Sequence, residues 1–195
     1  MPGKLSSRTR LSLAAFAAFT IWITWQAKSL EGGLGSESGT ALVGREPPAF
    51  ALETTDGRKI SLNDYIGKKN LGLIFWASWC GPCRLELPIV KAFYEKARPM
   101  REDFEIFAIS LDEFPDAAVG AAGSMRLPFP VLVKGQKVAE AYSVAVIPQM
   151  LIVDKSGKVK YGQTGFSAGL EMILAQNFGL DPKRFIRGPS DPSDH

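Results

Sequence analysis

The chain is 195 residues long, 46% hydrophobic and 22% charged, which is material for one globular domain with something short at either end. A net charge of +3, scattered along the sequence, offers no basic stripe for nucleic acid. Two cysteines exclude a disulfide-dense scaffold, and neither an internal repeat nor a phosphate-cradling glycine motif is present.

In chain order, Lys4, Arg8 and Arg10 precede an apolar run over residues 11–27, with no acid before Glu31. This is the charged-then-apolar order of a secretory signal. As a helix the run spans about 25 Å, slightly short of a bilayer core. Positive charge ahead of it keeps that end in the cytoplasm and exports the rest. Two fates stay open at this point. Ala27 and Ser29 have the spacing of a cleavage site, whereas Lys28 between them, with Trp22 and Trp25 at the membrane edge, suits a retained transmembrane anchor over residues 1–27 better. A mitochondrial transit peptide fits less well, because the run is too continuously apolar for an amphipathic Arg-rich helix. Residues 28–47 are rich in Gly and Ser and close on Pro47-Pro48. Such a linker has an r.m.s. reach of about 25 Å, enough to tether a domain near a membrane.

The globular domain is expected over residues 48–180. Residues 49–53 and 58–62 flank Asp56-Gly57, a hairpin turn signal. Residues 70–76 form a nearly continuous apolar strand, as in a central strand covered on both faces. A helix pattern follows to about Ala97, with Arg84, Lys91, Glu95 and Arg98 on its wet face and Cys83, Val90, Phe93 and Ala97 on its buried one. Pro88 is expected to kink it. Next come a buried strand over 104–110, a helix over 115–124, a short strand within 127–133 and a short helix over 136–142. A hairpin over 149–153 and 158–163 follows, then a last helix with Ser167 as N-cap, ending at Gly179. Residues 181–195 read as a loose polar tail. The order of elements predicts an α/β fold with a mixed central sheet, helices on both faces and an N-terminal β-hairpin.

Trp79-Cys80-Gly81-Pro82-Cys83 joins the apolar strand to the helix. Two thiols at this spacing close a small disulfide loop, and in this context the pair is a redox motif. At a helix N-terminus free backbone N–H groups favour negative charge, so Cys80 is the nucleophile as thiolate and Cys83, one turn inside, the shielded resolving thiol. Other readings fare worse. Structural zinc needs four ligands, and the only other candidate is His195. A haem attachment site needs histidine after the second cysteine, where Arg84 stands. A purely structural bridge across two residues would constrain little of the unfolded chain. No metal and no cofactor are expected.

Glu86 lies about 200° around the helix from Arg84, off the wet face. A carboxylate there is partly desolvated with a raised pKa, and one turn beyond Cys83 it can exchange a proton with that thiol. Pro148 follows Ile147 at the entrance to an apolar strand, where a residue without an N–H marks an edge, a strand start or a bulge.

Three groups of residues carry a resemblance: Phe50-x-Leu52…Asp56-Gly57…Leu62, then Phe75-Trp76-Ala77-Ser78-Trp79-Cys80-Gly81-Pro82-Cys83-Arg84-x-Glu86-x-Pro88, and Tyr142-x-Val144…Pro148…Ile152-x-Asp154-x-x-Gly157. Over residues 48–178 the chain resembles membrane-anchored thioredoxin-like proteins of the TlpA/ResA/DsbE (CcmG) group. The resemblance implies a thioredoxin-like fold and thiol–disulfide exchange. It places a cis proline at Pro148 beside the disulfide, with the Ile147 backbone pairing with substrate and Trp79, Gly81 and Pro82 as active-site neighbours. It associates the glutamate at Glu86 with proton chemistry; the aspartate thioredoxin uses on the preceding strand is replaced here by Ile74. It further implies a reductant of the haem-binding cysteines of apocytochrome c, re-reduced by a membrane electron donor of the DsbD/CcdA type, on the periplasmic side of the cytoplasmic membrane.

Three competitors remain. A general reductase of exported proteins or metallochaperones shares every motif. A peroxiredoxin-type peroxidase expects threonine three residues before its cysteine, where Ala77 stands. In the non-enzymatic class, a copper carrier of this fold wants a distant histidine, which residues 48–180 lack, and a redox-silent docking module would still function with Cys80→Ser.

Overall fold

The computed structural model describes residues 41–182 and Phe185. The expected signal or anchor (1–27) lies outside the described residues, as do most of the linker and nearly all of the tail. Among the described residues, no helix is long and apolar enough to cross a membrane.

A five-stranded mixed sheet runs in the order β5 (Val131–Leu132), β4 (Phe104–Ser110), β3 (Asn70–Trp76), β6 (Gln149–Val153), β7 (Val159–Thr164). β3 and β4 are parallel, from Asn70 opposite Phe104 to Trp76 opposite Ser110. β6 runs antiparallel to both β3 and β7. Every residue of β4, and all of β3 but Asn70, is buried. That is why β3 reads as a nearly continuous apolar run and β4 as a mostly apolar one, rather than as alternating patterns.

Successive side chains on these strands enter two different cores, as the period of two requires. Ile74, Trp76, Ile106, Ala108, Met150 and Ile152 face a layer that includes α1 (Gly81–Ala97), α2 (Pro115–Met125) and α4 (Leu170–Asn177). Leu71, Leu73, Phe75, Phe107, Ile109 and Leu151 face the hairpin of β1 (Ala51–Glu53) and β2 (Lys59–Ser61), the 3-10 turn Leu62–Asp64, and α3 (Gln136–Ala141). In the first core Phe93 meets Phe104, Phe178 and Phe185, with ring centroids 5.2–6.0 Å apart. In the second, the buried Tyr142 packs on Phe50 and Phe75 and donates its hydroxyl to the Pro48 carbonyl at 2.7 Å.

Several expectations need local correction. The strand expected within 127–133 is only Val131–Leu132, because Pro128 and Pro130 have no N–H to give a ladder. Ser167 is not the N-cap of the last helix: α4 starts at Leu170 with Gly169 at the cap, and Ser167 Oγ accepts the Gly169 N–H two residues earlier. The expected stop is met by a Schellman arrangement. Gly179, at φ +72°, gives its N–H to Gln176, and Leu180 gives its own to Ala175. Pro88 sits inside α1 without interrupting it. Two stretches outside the expected span join the domain. Gly44 and Arg45 exchange backbone hydrogen bonds with Val159 on β7, and Phe185 is buried against α1.

Candidate active site

β3 ends at Trp76 and the chain turns through residues 77–79 into α1, so the C-terminal edge of the central strands delivers Cys80 to the helix start. Cys80 is the N-cap residue itself, with extended φ/ψ of −80° and 106°. Its Sγ accepts the backbone N–H of Cys83 at 3.2 Å. A cysteine therefore fills the role usually taken by Ser or Asp, satisfying one of the helix's free N–H groups with sulfur. Once reduced, the same N–H and the dipole behind it favour the thiolate. α1 has no acidic residue in its first turn to offset this, and Pro82 occupies a position where its missing N–H is no loss.

Cys80 and Cys83 form a disulfide, with Cα atoms 5.3 Å apart. The two sulfurs are not equivalent. Cys80 keeps 5% exposure and Cys83 none, so an incoming group meets Cys80 first. Around it stand Trp79, 72% exposed, and the exposed Gly81 and Pro82. The Ile147–Pro148 peptide bond is cis, and Cys80 Sγ lies 3.8 Å from the Ile147 carbonyl oxygen. In the disulfide no S–H remains, so this approach is a packing contact. Pro148 in turn accepts the Gly165 N–H at 2.7 Å, which ties the loop before β6 to the end of β7. Val146 and Phe166, at the two sides of that tie, are exposed apolar residues.

Glu86 lies one turn beyond Cys83 and is 1% exposed, with Oε2 bonded to nothing among the described residues. Burial pushes its pKa up from 4.5 to about 7. The phenol of Tyr161, on β7, is raised by its own burial and then by the Glu86 charge. Ile74 is buried in the same core, so β3 supplies no acid of its own. The geometry thus gathers Trp79, Cys80, Gly81, Pro82, Cys83, Glu86, Ile147 and Pro148 at one edge of the sheet.

Sequence reasoning missed a further support of the site, Asp112 just past β4. Its carboxylate accepts the Ser78 backbone N–H at 3.0 and 3.1 Å, the Ser78 hydroxyl at 2.7 Å and the Ser110 hydroxyl at 2.8 Å. Its backbone carbonyl accepts Gln136 Nε2 at 2.6 Å. The available signal was position: in sheets with parallel strands, sites gather at the strands' C-terminal ends, and Asp112 follows Ser110, the last residue of β4. Gly135 lets α3 come close enough to contribute Gln136, since a Cβ there would lie 2.4 Å from Ile109 Cγ2 and 2.7 Å from the Ser110 carbonyl. Among the described residues, no cluster of three or more His, Cys, Asp or Glu is placed to hold a metal.

The AhpC/TSA family profile matches residues 43–162. The thiol-disulfide oxidoreductase ResA of Geobacillus kaustophilus is 31% identical over 165 residues, covering 83% of this chain and 88% of that protein. ResA of Bacillus anthracis is 37% identical over 118 residues, a match that spans just under two thirds of its length, 66%, and 60% of this chain. Among solved structures, a putative thiol:disulfide interchange protein DsbE from Chlorobium tepidum superimposes with a TM-score of 0.61 at 29% identity, over 68% of this chain and 92% of that one. The chain therefore belongs to the AhpC/TSA family of thioredoxin-like proteins, in the group of TlpA/ResA/DsbE-type thiol-disulfide oxidoreductases.

Proposed function

We propose that the protein is an extracytoplasmic thiol–disulfide oxidoreductase acting as a reductant, and that its client is the oxidised haem-binding cysteine pair of apocytochrome c. The observation that carries the exchange chemistry is the asymmetry of the pair: Cys80 keeps 5% exposure and caps a helix N–H with its sulfur, while Cys83 is sealed one turn from a buried acid of pKa about 7. In the reduced protein the Cys80 thiolate attacks one client sulfur, and the other client sulfur leaves as a thiolate that takes a proton. Cys83 then gives its proton to Glu86 and attacks Cys80 Sγ, expelling the second client thiolate, which takes up a proton as Glu86 gives one back, and forming the Cys80–Cys83 disulfide. The client has gained two electrons and two protons, and the protein has lost its dithiol. A membrane electron donor of the DsbD/CcdA type restores it.

The Gly81-Pro82 dipeptide, shared with thioredoxin, supports the reducing direction. The basic residues and apolar run of the N-terminus support a single-pass anchor in the cytoplasmic membrane, with the domain on its outer side. The exposed Trp79, Val146 and Phe166 beside Cys80 suit a polypeptide client better than a peroxide, and Ala77 offers no hydroxyl to a peroxide three residues before the nucleophile.

The test is a Cys83→Ser chain expressed in cells, which strands the mixed disulfide on Cys80. Mass spectrometry of the captured partner is expected to show apocytochrome c. Capture of other exported proteins or metallochaperones alone would replace the client and keep the chemistry. No adduct at all, with Cys80→Ser still functional, would leave a docking module.

A further inference from the structure

Asp112 presents a question that the exchange chemistry does not answer. A buried carboxylate is costly unless paired and hydrogen-bonded, and this one, 3% exposed, faces a strand end and a loop rather than a cation. Only donors point at its two oxygens, which is the environment of the acceptor-only, ionised form. Two of the three donor groups belong to Ser78. Since Ser78 and Cys80 are two residues apart, their Cα atoms are at most about 7 Å from one another. The carboxylate is therefore both the anchor of the loop that carries the nucleophile and a fixed negative charge no more than about 14 Å from its sulfur.

We propose that Asp112 is the positioning residue of the attacking sulfur, and that its buried charge sets how strongly reducing the Cys80–Cys83 pair is. The inference rests on the exchange reading above. The hydrogen bonds hold residues 77–79 so that Cys80 caps α1. The charge opposes formation of a Cys80 thiolate, which weakens the reduced state relative to the disulfide and makes the dithiol the better electron donor. The other chargeable groups around Cys80 are few. α1 contributes the exposed Arg84, which acts in the opposite sense, and Glu86, which is uncharged on the acid side of about 7. The segment after β4 adds the exposed Glu113, and residues 146–148 and 165–166 contribute no charge.

The experiment equilibrates the full-length chain with glutathione buffers at pH 7 and follows alkylation of the reduced protein against pH. Asp112→Asn, which removes the charge and offers N–H where donors already point, is expected to shift the equilibrium toward the dithiol by on the order of tenfold. It should also move the midpoint of the alkylation profile to lower pH. Ser110→Ala removes a donor from the carboxylate and leaves its charge less compensated, so it should shift the equilibrium the opposite way, toward the disulfide. Asp112→Asn with a lowered melting temperature but unchanged equilibrium and alkylation profile would reduce Asp112 to a structural tie. Should that variant fail to fold, Ser110→Ala decides alone, and no shift or a shift toward the dithiol overturns the proposal. A wild-type chain that does not equilibrate with glutathione would bring down the exchange reading and this inference together.

Discussion

Two buried carboxylates flank the disulfide and are treated in opposite ways. Glu86 projects from α1 with Oε2 bonded to nothing among the described residues, while Asp112 beyond β4 receives donors on both oxygens. Both are almost completely excluded from solvent. What separates them is the supply of donors. Without donors an acid escapes the cost of burial by keeping a proton, which is why Glu86 is pushed up to about 7 and can trade that proton with Cys83. Surrounded by donors, an acid serves as a fixed acceptor and a scaffold. The same chemical group thus makes a mobile proton on one side of the sulfurs and an immobile support on the other.

The largest expected effect tests the unpaired member. Glu86 has a folded pKa of about 7 against 4.5 for the free side chain, so the folded state holds the proton more tightly than the unfolded one. Its contribution to stability is therefore complete below about pH 4.5 and is lost as pH rises through about 7, a loss on the order of 3 kcal/mol. Urea melts of the oxidised chain at pH 4.5 and 8.5 should show this fall, and Glu86→Gln should flatten it. Asp103, held well below the usual carboxylate range by Arg101 and then Lys155, titrates below that window and does not blur it. Release of client from the mixed disulfide should slow by about a hundredfold or more in the same variant, the usual scale of lost acid–base help. A wild-type curve with no descending limb would mean that Glu86 has a partner and that the contrast is void.

How much of this was legible beforehand depended on whether the cause was local. Glu86 could be placed off the wet face because helical spacing is a property of neighbours in sequence, and its desolvation followed from the nearby apolar stripe of Val90 and Phe93. Asp112 could not, because its partner Ser78 is 34 residues away and neither residue breaks a pattern. β3 and β4 were readable to the residue, since burial on both faces leaves a mostly apolar run, broken in β4 only by Glu105 before the closing Ser110. The stretch before β5 was not, because its apolar residues alternate with two prolines and hydrophobicity alone cannot tell a strand from a packed loop. Ser167 had the chemistry of a cap but not the place, as the chain makes one more turn before α4 begins. Phe185 was hidden in a polar tail; only the aromatic cluster around Phe93 explains why it is buried.

An intermediate effect sharpens the paired member. Gly135 has ordinary backbone angles, φ −78° and ψ 1°, so its requirement is purely one of space. An alanine Cβ would meet Ile109 Cγ2 at 2.4 Å and the Ser110 carbonyl at 2.7 Å. The strand end and α3 must separate, and Gln136 with them withdraws from Asp112. Gly135→Ala should destabilise by about 1–3 kcal/mol, the scale of overpacking in a filled interior. Gly81→Ala is the control, with nothing within 4 Å of the added carbon, and its denaturation midpoint should stay close to wild type.

The smallest effect asks whether the contrast extends beyond acids. Trp76 and Tyr142 are both fully buried aromatics with a polar atom, yet Trp76 Nε1 has no partner among the described residues, whereas the Tyr142 hydroxyl donates to Pro48. Tyr142→Phe leaves the Pro48 carbonyl without that donor and should cost about 1 kcal/mol, the net worth of an ordinary hydrogen bond. Trp76→Phe loses packing volume but also relieves an unsatisfied N–H, which carries a penalty of about 1–3 kcal/mol. The two terms oppose each other, so the net change should stay within about 1 kcal/mol despite the much larger loss of atoms. If chemical denaturation instead gives Trp76→Phe the full cost of a large-to-small core substitution, roughly 3 kcal/mol or more, the indole N–H is satisfied in solution. Among the described residues, unpaired buried side-chain atoms would then be confined to Glu86, whose chemistry makes use of having no partner.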